Sequence, residues 1–207
     1  MPIFPLGTVL LPYGVLPLHV FEQRYRKMMG DILAEGAADP ARAPEMGVVL
    51  IERGHEVGGG DERTTIGTVA RIVRAEQFPD GRWFLLAAGT NRFEVRDWMP
   101  DDPYPLADVD DLDDGNWDPC CAEMLRTAER EVRQAVELAG DLGEPVSQPE
   151  LSSDRMAASW QLCGAVPVGP IDRQRLLAAR GVAERLELLT VLARDASTLL
   201  AYRLGGT

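Results

Sequence analysis

At 207 residues, 45% of them apolar, the chain can bury a sizeable core without disulfides or a structural metal. Its net charge of −12 and the lack of any basic run argue against general nucleic-acid binding, which needs clustered Lys and Arg on phosphates. No stretch approaches the roughly 20 apolar residues of a membrane helix, and Pro2, Pro5, Pro12 and Pro17 interrupt an apolar N-terminus that lacks the basic start of a signal peptide.

The run Phe21–Glu35 places Phe21, Tyr25, Met28, Met29 and Ile32 on one stripe, which predicts a helix stopped by Gly36 and laid over an open side of a β-structure. Met46–Ile51 and Ile66–Val73 read as short strands. Between them, Gly58-Gly59-Gly60 precedes Asp61-Glu62, whose charges would repel a phosphate, so a hairpin loop is expected there. Phe78-Pro79-Asp80-Gly81 carries turn chemistry and leads into Arg82–Ala88. That strand is apolar on both faces, with Trp83, Leu85 and Ala87 alternating with Phe84, Leu86 and Ala88, and so requires cover on both. Gly89-Thr90 is expected to turn the chain into Asn91–Trp98, whose Arg92, Glu94 and Arg96 form a wet face. Many short strands at this spacing predict a small barrel.

Ten acidic residues fall between Asp97 and Glu123 with no Lys or Arg among them, and the rest of the chain is nearly balanced. The stretch reads as a solvated linker. Beyond it the periodicity becomes helical. Asp118 caps and Pro119 opens a helix that ends at Gly140. Ser153 or Asp154 caps a second helix carrying Met156, Trp160 and Cys163, Pro170 opens a short one to Ala179, and a long helix follows Gly181. The expected architecture is α+β, with a β-barrel subdomain over residues 1–112, one helix near 21–35, and an all-helical bundle over 113–207.

The opening Ile3-Phe4-Pro5-Leu6-Gly7-Thr8-Val9-Leu10-Leu11-Pro12 and the segment Leu16-Pro17-Leu18-His19-Val20-Phe21-Glu22-Gln23-Arg24-Tyr25 resemble the start of the Lon protease N-terminal (LON substrate-binding) domain family. Gly47–Ile51, Ile66–Ile72 and the pieces from Asp80 to Phe93 follow in the family's order, and Arg185–Leu192 resembles its helical part more weakly. The resemblance implies a PUA-like β pseudobarrel with an attached helical bundle, and recognition of polypeptide. It points to a stand-alone member without ATPase or peptidase domains.

Candidate chemistry is sparse. Gly-x-x-x-x-Gly-Lys-Ser/Thr is absent, the only lysine is Lys27, and no serine lies near it for a Ser–Lys dyad. His19 and His55 are the only histidines, and the adjacent Cys120 and Cys121 point about 100° apart on a helix, so no metal site is expected. Cys121 and Cys163 read as core, and three cysteines make no disulfide framework. His19 is expected to orient Glu22 or a carbonyl, and Glu22 and Arg24, two apart on a helix, to pair elsewhere. The expectation is a cytoplasmic, non-enzymatic, polypeptide-binding protein with no catalytic residues, cofactor or metal and no membrane or nucleic-acid partner, using an apolar groove or an exposed strand edge. PUA-like RNA binding and an unrecognised enzyme are the alternatives, and the peptide-binding residues are left unassigned.

Overall fold

The structure is a computed structural model that describes residues 1–39, 43–53 and 62–205. His55 and Gly58–Gly60 lie outside the described residues. The chain divides into two compact units, Met1–Leu112 and Asp113–Thr207.

The first unit is one curled, mixed sheet with a helix against it. Its elements are β1 (Ile3–Leu6), β2 (Val15–Val20), α1 (Gln23–Ala38), β3 (Glu45–Arg53), β4 (Glu62–Gln77), β5 (Trp83–Trp98) and β6 (Ala107–Leu112). The order is β1-β3-β4-β5-β2, and β6 also pairs β5. β1 runs parallel to β3, and every other pairing is antiparallel. β5 accommodates two neighbours on one side because it is 16 residues long: Trp83–Ala88 pairs with β2, and Arg92–Trp98 with β6. The Pro2–Leu106 bridge and the Ile3 N–H bond to Pro105 O (2.9 Å) return the chain from β6 to β1. The sheet thereby curls into a pseudobarrel.

Ile3, Val49, Val69, Phe93, Val95 and Ala107 form the interior cluster. The Phe93 ring fills it so tightly that a Cβ on Gly47 or Gly67 would overlap the ring edge. A second cluster joins the α1 stripe (Tyr25, Met28, Met29, Ile32) to Phe4, Leu16, Val20, Met46, Leu85 and Ala87 of the sheet. Both methionines are fully buried, so the stripe is core packing.

Four local expectations change. α1 begins at Gln23, not at Phe21, because Glu22 holds the extended N-cap conformation; Phe21 precedes the helix and is exposed. Gly36 does not stop the helix, which runs to Ala38. Gly89-Thr90 is not a turn. β5 continues through it with a register shift against β4, and Gly89 is needed because a Cβ there would meet the carbonyl of Leu11. Arg92 is buried, so the face drawn as wet begins at Glu94.

The acidic stretch is not a plain linker either. Asp108, Asp110 and Asp111 lie on β6, where Asp108 and Asp110 hold Arg96 across the strand pair, and Asp101 grips Arg63 through two bonds of 3.1 and 2.6 Å.

The second unit contains α2 (Cys121–Asp141), α3 (Arg155–Ala165), α4 (Pro170–Ala178) and α5 (Val182–Gly205). Small residues on α2 (Ala128, Val132, Ala135, Ala139) let it pack closely along α5, which buries Leu186, Leu189, Ala193 and Leu200. Asp154 caps α3 by accepting from Ala157 N–H at 2.9 Å. Pro170 opens α4. α2 starts at Cys121 and not at Pro119: Asp118 accepts from the Cys120 N–H, and Cys120 takes the N-cap position.

Arg185, drawn from sequence only as part of a Leu-rich run, is fully buried. Its guanidinium lies 3.7 Å above the Trp160 ring and donates to Asp114 Oδ1 (3.2 Å) and Ser159 Oγ (3.0 Å). Trp160 Nε1 donates to the other Asp114 oxygen at 2.7 Å. One carboxylate thus satisfies both the indole and the cation that stacks on it.

Candidate polypeptide-binding surface

The two apolar faces of β5 have different fates. Leu85 and Ala87 are buried in the cluster under α1. Phe84, Leu86 and Ala88, on the opposite face, are only half-buried. The neighbouring strand extends that face instead of covering it. β2 pairs His19 with Phe84, Pro17 with Leu86 and Val15 with Ala88, and alternation exposes Val15, Pro17 and His19 while burying Leu16 and Val20. Val15 is 66% exposed and Phe21, just past the strand end, 55%. Val73 of β4 is exposed as well. The result is an apolar surface of Val15, Pro17, Phe84, Leu86 and Phe21, bordered along β4 by Arg71, Arg74 and Glu76, which the register sets beside Ala88, Leu86 and Phe84. Isolated exposed apolar residues are ordinary, but a contiguous group marks an interaction surface.

Around the open side of β2 this surface turns into a slot. A cavity of about 230 Å³ lies there, lined by Phe4 and Leu6 of β1, by Pro17–Val20 of β2, and by Phe21, Glu22 and Tyr25. Phe4 and Tyr25 stack with ring centroids 4.2 Å apart. Arg24 sits 4.5 Å over the Tyr25 ring and bonds Glu22 at 3.3 Å. That pair corrects the expectation that Glu22 and Arg24 cannot meet. Glu22 is the extended N-cap and lies outside the helix, so helical spacing does not govern it. His19 is exposed, its ring 5.1 Å from Phe84.

Other reactive groups stand apart from the slot lining. Lys27 bonds Asp31 within α1, and Tyr104 donates to the same carboxylate at 2.9 Å. Lys27, followed by Tyr104, holds Asp31 below the usual carboxylate range, and burial with Asp31 pushes the Tyr104 phenol up to about 12. All three cysteines are free thiols. Burial drives Cys163 up to about 12, and the Asp118 carboxylate drives the exposed Cys120 up to about 11, so neither is an activated nucleophile at neutral pH. Among the described residues no cluster of three or more His, Cys, Asp or Glu side chains is placed to hold a metal, and no helix is long and apolar enough to cross a membrane.

The family model described as the ATP-dependent protease La (LON) substrate-binding domain matches residues 1–195. This chain belongs to that family. Among LON-containing relatives, Lon protease 2 of Herpetosiphon aurantiacus is 27% identical over 198 residues, covering 93% of this chain and 23% of that protein. Lon protease of Anaeromyxobacter dehalogenans is 28% identical, covering 93% of this chain and 22% of its own. The chain therefore spans about a quarter of the length of the curated Lon proteases it matches. Two solved LON domains share the fold. A Lon N-terminal domain protein from Xanthomonas campestris superposes with a TM-score of 0.61 at 26% identity, covering 92% of this chain and 96% of that one. The N-terminal domain of the Mycobacterium avium complex Lon protease gives 0.66 at 15% identity, covering 94% and 97%.

Two of the pieces that carry the sequence resemblance reach the slot, Phe4 and Leu6 from the first and Pro17 to Glu22 with Tyr25 from the second. Sequence reasoning missed β2 itself. Prolines at 12 and 17 masked a strand whose alternation, Val15 to Val20, is plain once Pro17 is allowed an edge position.

Proposed function

We propose that this LON domain is a non-catalytic module that recognises extended or unfolded polypeptide, a substrate-recognition or adaptor protein working in the cytoplasm. The observation that supports it most directly is the second apolar face of β5, which β2 widens instead of covering. Partners that expose apolar side chains, as unfolded segments do, match that surface. The chain brings no P-loop and a single lysine that is engaged with Asp31, so neither ATP hydrolysis nor a Ser–Lys peptidase is part of this reading. Cys120, Cys121 and Cys163 as free thiols suit a reducing compartment.

Calorimetric titration with a permanently unfolded model protein, at low and at high salt, tests the proposal. Apolar burial gives a negative heat-capacity change and an affinity that salt barely alters. Titration with a structured RNA is the comparison, because phosphate binding weakens steeply as salt rises. Tight, salt-sensitive RNA binding with no polypeptide binding would overturn it. So would peptide turnover that survives repurification and disappears in Lys27→Ala.

A further inference from the structure

The slot between β1 and β2 looks at first like a place where a strand could be added, but the backbone there is short of donors on both sides. On β2 the Gly89 N–H donates to Gly14 O, which sets the phase of the antiparallel ladder. Residues 14, 16, 18 and 20 then direct their backbone groups at β5, and Val15, Pro17 and His19 direct theirs at the open edge. The central one of those three is a proline and has no N–H. On β1 the Gly47 N–H donates to Pro2 O and Ile3 donates to Pro105 O, so Phe4 and Leu6 face β3 while Ile3 and Pro5 face away. The outward position beside Phe4 and Leu6 is again a proline. Both edges are blunted in the way that protects natural sheets from edge pairing.

What the slot does offer is apolar volume. It holds about 230 Å³, below the roughly 300–1,000 Å³ of sites that enclose a whole small molecule. Its walls are aliphatic and aromatic (Phe4, Leu6, Leu18, Val20, Tyr25), with Glu22 and His19 at the rim. We infer that this site takes a polypeptide by one bulky apolar side chain inserted between β1 and β2, the backbone of the partner remaining outside the sheet. The inference rests on the polypeptide-binding reading above and adds the mode of recognition: side-chain anchoring in place of strand addition. It predicts tolerance of partner sequence around a single Phe, Leu or Trp anchor.

The test uses the full chain and three forms of one short Gly/Ser-rich peptide, followed by NMR titration. The first form carries a central Phe, the second has that Phe replaced by Ala, and the third keeps Phe but is N-methylated at the flanking backbone amides. The expected result is a loss of roughly tenfold or more in affinity for the Ala form, from the apolar area no longer buried, and less than about a twofold change for the N-methylated form. The shifted resonances should include Leu18, Val20 and Tyr25. Leu6→Trp, which fills the slot, should weaken the Phe form; an unchanged spectrum elsewhere in the sheet certifies its fold. Loss of binding on N-methylation with the Ala form unimpaired overturns side-chain anchoring while leaving polypeptide binding intact. No binding of the Phe form, where an unfolded model protein does bind, also overturns the anchor. Binding by neither rejects the functional reading itself.

Discussion

The two units handle their buried polar groups differently. The β unit buries Thr68, whose hydroxyl donates to Leu10 O at 2.6 Å, and Arg92 as well as its apolar clusters, uses glycine to let Phe93 fill the barrel, and leaves a half-buried apolar face on β5. The helical unit buries a complete cation–carboxylate–indole cluster at Arg185, Asp114 and Trp160, and its longer helices present charged pairs such as Arg133–Glu129 and Arg194–Glu131 to solvent. The half-buried apolar face thus lies on the β unit, and the buried ionic cluster in the helical unit. An apolar sheet face can be left open only if its own edges are blunted, whereas helices with satisfied backbones need no such protection.

The largest expected effect sharpens that contrast. Arg185→Ala removes the partner of a carboxylate and the cover of Trp160, and should cost roughly 3–5 kcal/mol. Arg185→Met keeps the bulk but leaves Asp114 with the indole alone, and should fall between the two. Hydrogen exchange should localise the loss to amides of residues 113–205. Equal loss of protection in the β unit would break the comparison.

Next in size is Gly67→Ala. The added methyl must displace both the Phe93 ring and the Val48 carbonyl, at a cost of about 1–3 kcal/mol. Denaturant melts followed at Phe93-adjacent amides should show it. Paired with Phe93→Leu, the same substitution should cost less than the two changes added together, because the leucine vacates part of the space the methyl needs.

Smaller in stability but decisive for binding are Val15→Ser and Phe21→Ser. Both side chains are mainly in water, so each should change stability by no more than about 0.5 kcal/mol. Each should weaken binding of an unfolded protein several-fold in the calorimetric titration. Unchanged affinity in the double variant would move the binding surface elsewhere.

The smallest effect is a titration. The Tyr104 phenol, raised to about 12 by burial and by its bond to Asp31, carries its proton longer in the folded chain than in the unfolded one. Its contribution to stability is complete below the ordinary value of 10.0 and is lost as pH rises toward 12. Ultraviolet difference spectra should show this phenol titrating late, and Asp31→Asn should bring it partway back.

How far all this is legible in the sequence depends on the range of the interaction that decides each feature. The α1 stripe, the α3 cap at Asp154 and the Pro170 start are local, and each reads directly from residues within a few positions. The continuity of β5 through Gly89 depends on the carbonyl of Leu11, some 80 residues earlier by number, and no local rule distinguishes that glycine from a turn. β6 was hidden because its aspartates are typical of solvent; only their partner Arg96 across the sheet makes a strand of them. Buried Arg185 escaped for the same reason, since its carboxylate comes from Asp114 in the acidic stretch. The both-faces-apolar pattern of Trp83–Ala88 called for cover on both faces; Leu85 and Ala87 are buried under α1, while Phe84, Leu86 and Ala88 stay half-buried, a difference that depends on α1 and β2 and not on the strand itself.

The Arg185 cluster also has an optical consequence. Trp160 is the most deeply buried of the four tryptophans, fixed between a guanidinium and a carboxylate, while Trp83 and Trp98 lie in the β unit and Trp117 beside Arg155 in the helical one. A buried indole stacked under a cation and bonded to a carboxylate should emit apart from the more exposed tryptophans, and should shift when the helical unit opens. Trp83, packed on the cluster beneath α1, reports on the β unit. Unlabelled protein therefore carries a reporter in each unit, Trp160 for the helical core and Trp83 for the packing beneath α1.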